Sequence, residues 1–234
     1  MKQAAIVQLE EHVASQPRED GSNPTSSLHR IQISPIPFKV AGTILKKHHY
    51  LHSLPGGTML SFGVFLGQNL LGALTLGAGP AQAYQLVDQA RPDDCLTLSR
   101  LWLSDQLPRN SESRVIGFVL RNLKKHTSLK FLISYADPSQ GHMGTIYQAT
   151  GWVYTGLSSA MPLYDMGDGK VRHCRSLSHA YGTHSVKHFA DHGVTVNKIP
   201  QMAKHRYIYF LDPSWRSKLT TPILPYPKKG LENE

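Results

Sequence analysis

The chain has 234 residues, with 25 Lys and Arg against 16 Asp and Glu, a formal charge of +9 and 13 His in reserve. Hydrophobic residues make up 40% and aromatic residues 9%; that fills a core, excludes a globally disordered chain, and suits one large domain with extensions. Two cysteines, Cys95 and Cys174, exclude a disulfide scaffold and make a reducing, intracellular setting the expectation, while the positive excess favours a polyanion such as nucleic acid as partner.

Residues 1–27 contain no continuous apolar run, so they read as a frayed helix and a flexible polar tail rather than an export signal. Residues 28–43 mix Ile31, Ile33 and Ile36 with Pro35 and Pro37, which predicts an extended edge segment. A short helix is expected over Ile44–His52, carrying Lys46, Lys47, His48 and His49. From Leu54 to Val87 there is no charged residue, a stretch long enough to cross a bilayer. Gly67-Gln68-Asn69 interrupts it with a turn signal, so a buried β-hairpin is predicted and no membrane is required.

CLTLSRLWL, residues 95–103, alternates as a strand, with Leu96, Leu98, Arg100 and Trp102 expected on one face. Val115, Phe118, Val119 and Leu123 recur at helical spacing and predict a helix over SESRVIGFVLRNLKK, with its cations towards the C-terminal end. KFLISYA at 130–136 is a buried strand ending at Asp137. A short helix should run to about Thr150, with Gly151 as its C-cap and WVYTG as the next strand. Residues 167–205 form a basic, His-rich stretch. Within it His184, His188 and His192 recur every four residues, predicting one helix face with Thr183 as N-cap. No Cys or carboxylate completes a zinc set nearby, so a DNA-facing or solvated helix is expected. RYIYFL at 206–211 is a strand, and a Pro-rich tail over 213–234 should wrap the surface.

The strand-loop-helix step around residues 103–114 aims free backbone N–H groups at the loop, which is an anion site by geometry. Arg109 and Arg114 flank it, so either a pyrophosphate sits there or the arginines are merely solvated. The order of elements resembles the GNAT acyltransferase fold. Tyr147, four residues before Gly151-Trp152, matches the position of a GNAT tyrosine that acts as general acid to a leaving thiolate. More narrowly, LTLSRLWLSDQLPRNSESRVIGFVLRNLKK and FLISYADPSQGHMGTIYQATGWVYTG resemble the Mom family of phage DNA-modification proteins across roughly residues 40–160. The likeness extends through AYGTHSVK and KHRYIYFL.

This resemblance implies an α+β fold with a GNAT-like mixed central sheet and flanking helices, spanning 28–212, and a basic His-rich C-terminal extension. It implies an enzyme of the host cytoplasm that carbamoylmethylates the exocyclic amine of adenine in double-stranded DNA and so protects phage DNA from restriction. A GNAT N-acyltransferase acting on a protein or small-molecule amine, and a non-catalytic DNA-binding module, are the competing readings. The resemblance gives Asp137, Tyr147, His49 and Tyr50 catalytic roles. It makes Arg100, Arg109, Asn110, Ser111, Ser113 and Arg114 donor-binding residues. It also makes His49 with Asp137 candidate ligands for iron. Acyl-CoA and a charged tRNA are both candidate donors. The loop Arg109–Arg114 has no glycine and carries Glu112, which departs from the usual GNAT phosphate loop. Simple acyl transfer would join the amine to a carbonyl carbon, whereas the Mom-type product joins it to a methylene. Lys46, Lys47, Arg172, Arg175, Lys198, Lys204 and Arg206 are expected phosphate contacts. A base inside a duplex must be extruded, so Tyr50, Trp102, Tyr135, Tyr147 and Trp152 are candidates to stack on it.

Overall fold

A computed structural model describes residues 31–53 and 56–228, divided between two compact units. The N-terminal segment 1–27 lies outside the described residues. Among the described residues the larger unit takes in those up to Tyr135, then Gly144–Gly156, then 206–228; the smaller comprises Ala136–Met143 and Leu157–His205.

In the larger unit the elements run β1 (Ile31–Pro35), α1 (Phe38–His48), β2 (Thr58–Leu66), β3 (Asn69–Gly77), β4 (Cys95–Leu103), α2 (Ser111–His126), β5 (Phe131–Ala136) and the one-turn α3 (Thr145–Gln148). β6 (Val153–Leu157) and β10 (His205–Phe210) complete a seven-stranded sheet ordered β1-β2-β3-β4-β5-β10-β6. The pairs β1–β2, β2–β3 and β3–β4 are antiparallel and β4–β5 is parallel, which makes the mixed α+β sheet expected from the sequence. The uncharged stretch is the β2–β3 hairpin. Gly67 turns it with φ +61°, a conformation costly for residues with a Cβ. Buried on both strands are Leu60, Phe62, Val64, Ala73, Leu74 and Leu76, so burial within protein accounts for the missing charges. No helix among the described residues is long and apolar enough to cross a membrane.

Two expectations change here. The helix predicted over 44–52 instead starts at Phe38 and ends at His48. The extended edge segment is present as β1, an end strand of the sheet that includes Pro35, but Pro37 directly precedes the helix's first turn, where a missing N–H costs nothing, and ends the extended stretch at Phe38. Alternation along β4 also breaks. Leu76 pairs with Leu98 and Thr75 with Arg100, leaving Ser99 as an extra residue. This β-bulge moves Arg100 and Trp102 to the face opposite Leu98. There Trp102 packs with Ala41, Leu45 and Ala73 beneath α1.

Within residues 213–228 the chain is bonded to the larger unit. Thr220 N–H donates to the Leu86 carbonyl at 2.9 Å and Leu224 N–H to that of Tyr154 at 2.9 Å, and the Tyr226 hydroxyl donates to the Trp152 carbonyl at 2.7 Å.

The smaller unit holds a three-stranded sheet of β7 (Leu163–Asp165), β8 (Val171–His173) and β9 (Asn197–Ile199), with β7 central. With it are α4 (Cys174–Tyr181) and α5 (Val186–Asp191). Its core is Tyr164, Cys174, Leu177, Phe189 and Val196. The three-histidine helix face does not form. Ser185, not Thr183, caps α5 by accepting the His188 N–H, and the helix is only six residues long. His184 precedes it, bonded to Ser178 Oγ at 2.8 Å, and His192 is its C-cap. Gly193, at φ +73°, follows and stops the helix.

Candidate active site

The parallel ladder between β4 and β5 ends at the pair Leu98–Ser134, although β4 runs on to Leu103. The bulge at Ser99 falls at the same point. Buried Ser134 lies there with its Oγ 3.0 Å from the Leu98 carbonyl and 2.8 Å from the Tyr147 hydroxyl. The carbonyl only accepts, and a serine has one proton to give. When that proton goes to Leu98, the phenol of Tyr147 donates to Ser134, so the chain runs Tyr147 to Ser134 to Leu98. Tyr147 is held by the single turn of α3, which Gly144 starts at φ +72°, and its ring packs against Trp152 and Tyr207 at centroid distances of 5.2 and 5.3 Å. Burial pushes its pKa up to about 12, against the opposing bond to Ser134. At neutral pH it is therefore a protonated phenol, fit to donate a proton and unfit to remove one.

Tyr50 acts electrostatically on both Tyr147 and Arg100, so these three groups share one neighbourhood. The Tyr50 ring stacks on buried His49 at 4.4 Å. His49 Nδ1 accepts the Leu51 N–H at 3.1 Å, which puts the proton of a neutral imidazole on Nε2. Arg100 donates to the carbonyls of Ser99 at 2.7 Å and Ser53 at 3.4 Å. Burial lowers its pKa, and Tyr50 opposes that shift.

At the N-terminus of α2, Asn110 takes a left-handed conformation, φ +67°. Ser111 Oγ donates to the Pro108 carbonyl at 2.5 Å and Ser113 Oγ to that of Asn110 at 3.0 Å. Both hydroxyls hold the loop in shape, so an anion here would meet first-turn amides, such as those of Glu112 and Ser113, rather than hydroxyls. Arg109 is exposed and Arg114 half-buried.

In the smaller unit Asp137 is 7% exposed. Its Oδ1 accepts Ser139 N–H at 3.1 Å and Ser139 Oγ at 2.6 Å, and Oδ2 lies 2.9 Å from Lys204 Nζ. Burial disfavours the charged form, but the bonds from Lys204 and Ser139 and the lysine's charge outweigh it and hold the carboxyl below its ordinary range. It is a committed anion, better suited to orienting a donor group than to removing a proton.

Several expected phosphate contacts are engaged elsewhere. Lys204 pairs with Asp137, Arg172 with Asp168, and Arg206 donates to Thr155 Oγ1 at 2.8 Å and to the Thr155 carbonyl at 2.9 Å. Lys46, Lys47 and Lys198 are exposed; Arg175 sits on α4, its side chain outside the description. Among the described residues no three His, Cys, Asp or Glu side chains gather as metal ligands. Among the described residues neither His49 nor Asp137 belongs to a ligand set that would fit iron. Ser134 and the Asp137–Lys204 pair escape the sequence reading. The only signal for Ser134 is a hydroxyl inside the apolar run FLISYA.

A mixed sheet whose parallel β4–β5 ladder ends beside a bulge, with a helix N-terminus after β4 and a buried phenol at the end of the ladder, is the GNAT-like α+β sheet expected from the sequence. Residues 30–228 match the Mom protein family, and the chain belongs to that family. It is 30% identical over 210 residues to the methylcarbamoylase mom of Escherichia phage Mu, covering 85% of this chain and 84% of that one. Among solved structures, an N-acetyltransferase from Staphylococcus aureus is similar at 11% identity and a TM-score of 0.43, over 77% of this chain and 97% of that one. Arabidopsis thaliana NAA60 in complex with acetyl-CoA is similar at 10% identity and a TM-score of 0.46, over 77% and 99%.

Proposed function

We propose that the chain is a phage DNA-modification transferase that converts adenine in double-stranded DNA to its N6-carbamoylmethyl form and so shields phage DNA from restriction in the host cell. The observation that carries this reading is the 30% identity to a methylcarbamoylase across 85% of the chain. The charge of +9 supplies the attraction to a polyanion.

The donor is an activated acyl group, carried by CoA or by a tRNA. Its phosphates rest on the first turn of α2, with Arg109 and Arg114 neutralising them. Tyr147 gives its proton to the departing oxygen or sulfur as Ser134 turns its own hydroxyl proton to the phenolate, and the proton that the adenine amine loses restores the phenol. Asp137, kept anionic by Lys204 and Ser139, accepts a hydrogen bond from the adenine amine and orients its nitrogen. His49 and Tyr50 line the approach to Arg100. Atoms balance for a glycyl donor: the amine nitrogen bonds the carbonyl carbon as the thioester or ester bond breaks, and the N6-glycyl group, an isomer of the carbamoylmethyl group, then rearranges so that its methylene carries N6 and its amine becomes the amide nitrogen.

Plasmid DNA from cells producing the protein tests the proposal. It should resist a panel of endonucleases whose sites contain adenine, while remaining sensitive to those cutting G·C-only sites. Unchanged cleavage across the panel would overturn it.

A further inference from the structure

His48, the last residue of α1, is exposed, and its ring lies on that of Trp102 at 4.3 Å and 14°. Trp102 reaches this position because the bulge at Ser99 turns it under α1, where Ala41, Leu45 and Ala73 hold it. The result is a flat, nearly parallel ring pair, rigid below and open to solvent above. An exposed imidazole normally has free rotamers; a stacked indole fixes this one, so a third ring placed on it need not pay for ordering it.

The charges carried by α1 have one sign. The sequence has no Asp or Glu between Asp20 and Asp88. Lys39, Lys46 and Lys47 are all exposed on α1, and none belongs to an ion pair among the described residues. At 1.5 Å per residue, Lys39 to Lys47 covers about 12 Å of helix. Successive phosphates along one strand advance ~3.4 Å each, so the lysines span several phosphates of a polymer, whereas a single nucleotide would occupy only one end.

We infer that the His48–Trp102 pair is a stacking platform for a nucleobase drawn out of duplex DNA, with Lys47 the lysine nearest to it and Lys39 and Lys46, on the other side of α1, holding phosphates further along the strand. This deepens the proposed function and rests on it. A purine could also come from the donor nucleotide, and the test separates the two sources.

Affinity is measured for a duplex with one adenine opposite an abasic site, for the same duplex fully paired, and for CoA. The wild type should prefer the unpaired adenine. His48→Ala should lose about tenfold of that preference, in line with base–ring stacking, without weakening CoA. His48→Phe, which keeps a ring, should retain it. Combined Lys39→Glu, Lys46→Glu and Lys47→Glu should weaken both duplexes alike and flatten the salt dependence. The platform is refuted if His48→Ala keeps the preference, if that variant loses CoA affinity instead, or if the wild type binds both duplexes equally. In that last case DNA binding itself, and with it the proposed function, would still stand; a wild type that binds no DNA removes both.

Discussion

In the proposed reaction Tyr147 is the residue on which the chemistry turns. Its phenol is buried, protonated and tied to Ser134. Tyr147→Phe keeps the ring packing against Trp152 and Tyr207, so stability should drop by only about 1 kcal/mol. Modification should fall by about 10²-fold or more, the range of a lost general acid. Ser134→Ala should cost about tenfold, and adding it to Tyr147→Phe should cost little more, because the two hydroxyls act as one chain. Additive losses measured by in vitro modification rate would separate them. Asp137 makes a prediction in pH. Its folded pKa lies below the ordinary value, so its stabilising contribution is complete above about pH 4 and disappears as pH falls through the depressed value. The stability gap between wild type and Asp137→Asn in urea titrations should therefore be open at neutral pH and close in acid. A gap that is constant with pH would mean that the Lys204 bond stabilises nothing.

At the scale of elements, α3 depends on Gly144. Its φ is +72°, and a Cβ there would fall on the Tyr207 ring. Gly144→Ala should destabilise the fold by more than about 1 kcal/mol and displace Tyr147, reducing activity beyond what the stability loss explains; circular dichroism melts and rates on the same samples check both. The strands of the seven-stranded sheet were legible in the sequence as short apolar runs closed by glycine, proline or a polar cluster, whereas β7, β8 and β9 were not, because three-residue strands such as VRH and NKI carry no apolar run. β4 was read to its exact ends, and α2 to within one residue. The facing of Arg100 was not legible, since a bulge at Ser99 depends on the partner strand and leaves no mark in alternation. The histidine helix misled because its spacing was right but Ser185 and Gly193 cut it to six residues. Lys204 is 67 positions from Asp137 in sequence, and no local pattern announces a pair at that distance.

On the scale of the whole molecule, an excess of nine positive charges suits the polyanionic substrate of the proposed function. Some cations counted as phosphate contacts are used inside the protein: Lys204 on Asp137, Arg206 on Thr155, Arg172 on Asp168. The exposed lysines of α1 carry more of the DNA reading than composition suggested. The central claim is that adenine leaves this enzyme carrying a new group on its exocyclic nitrogen. Mass spectrometry of nucleosides from DNA of cells producing the wild-type chain or Tyr147→Phe measures this directly. The account predicts a heavier deoxyadenosine with the wild type and its near absence with the variant. Unmodified deoxyadenosine in both, alongside a newly acylated protein or small amine, would contradict it.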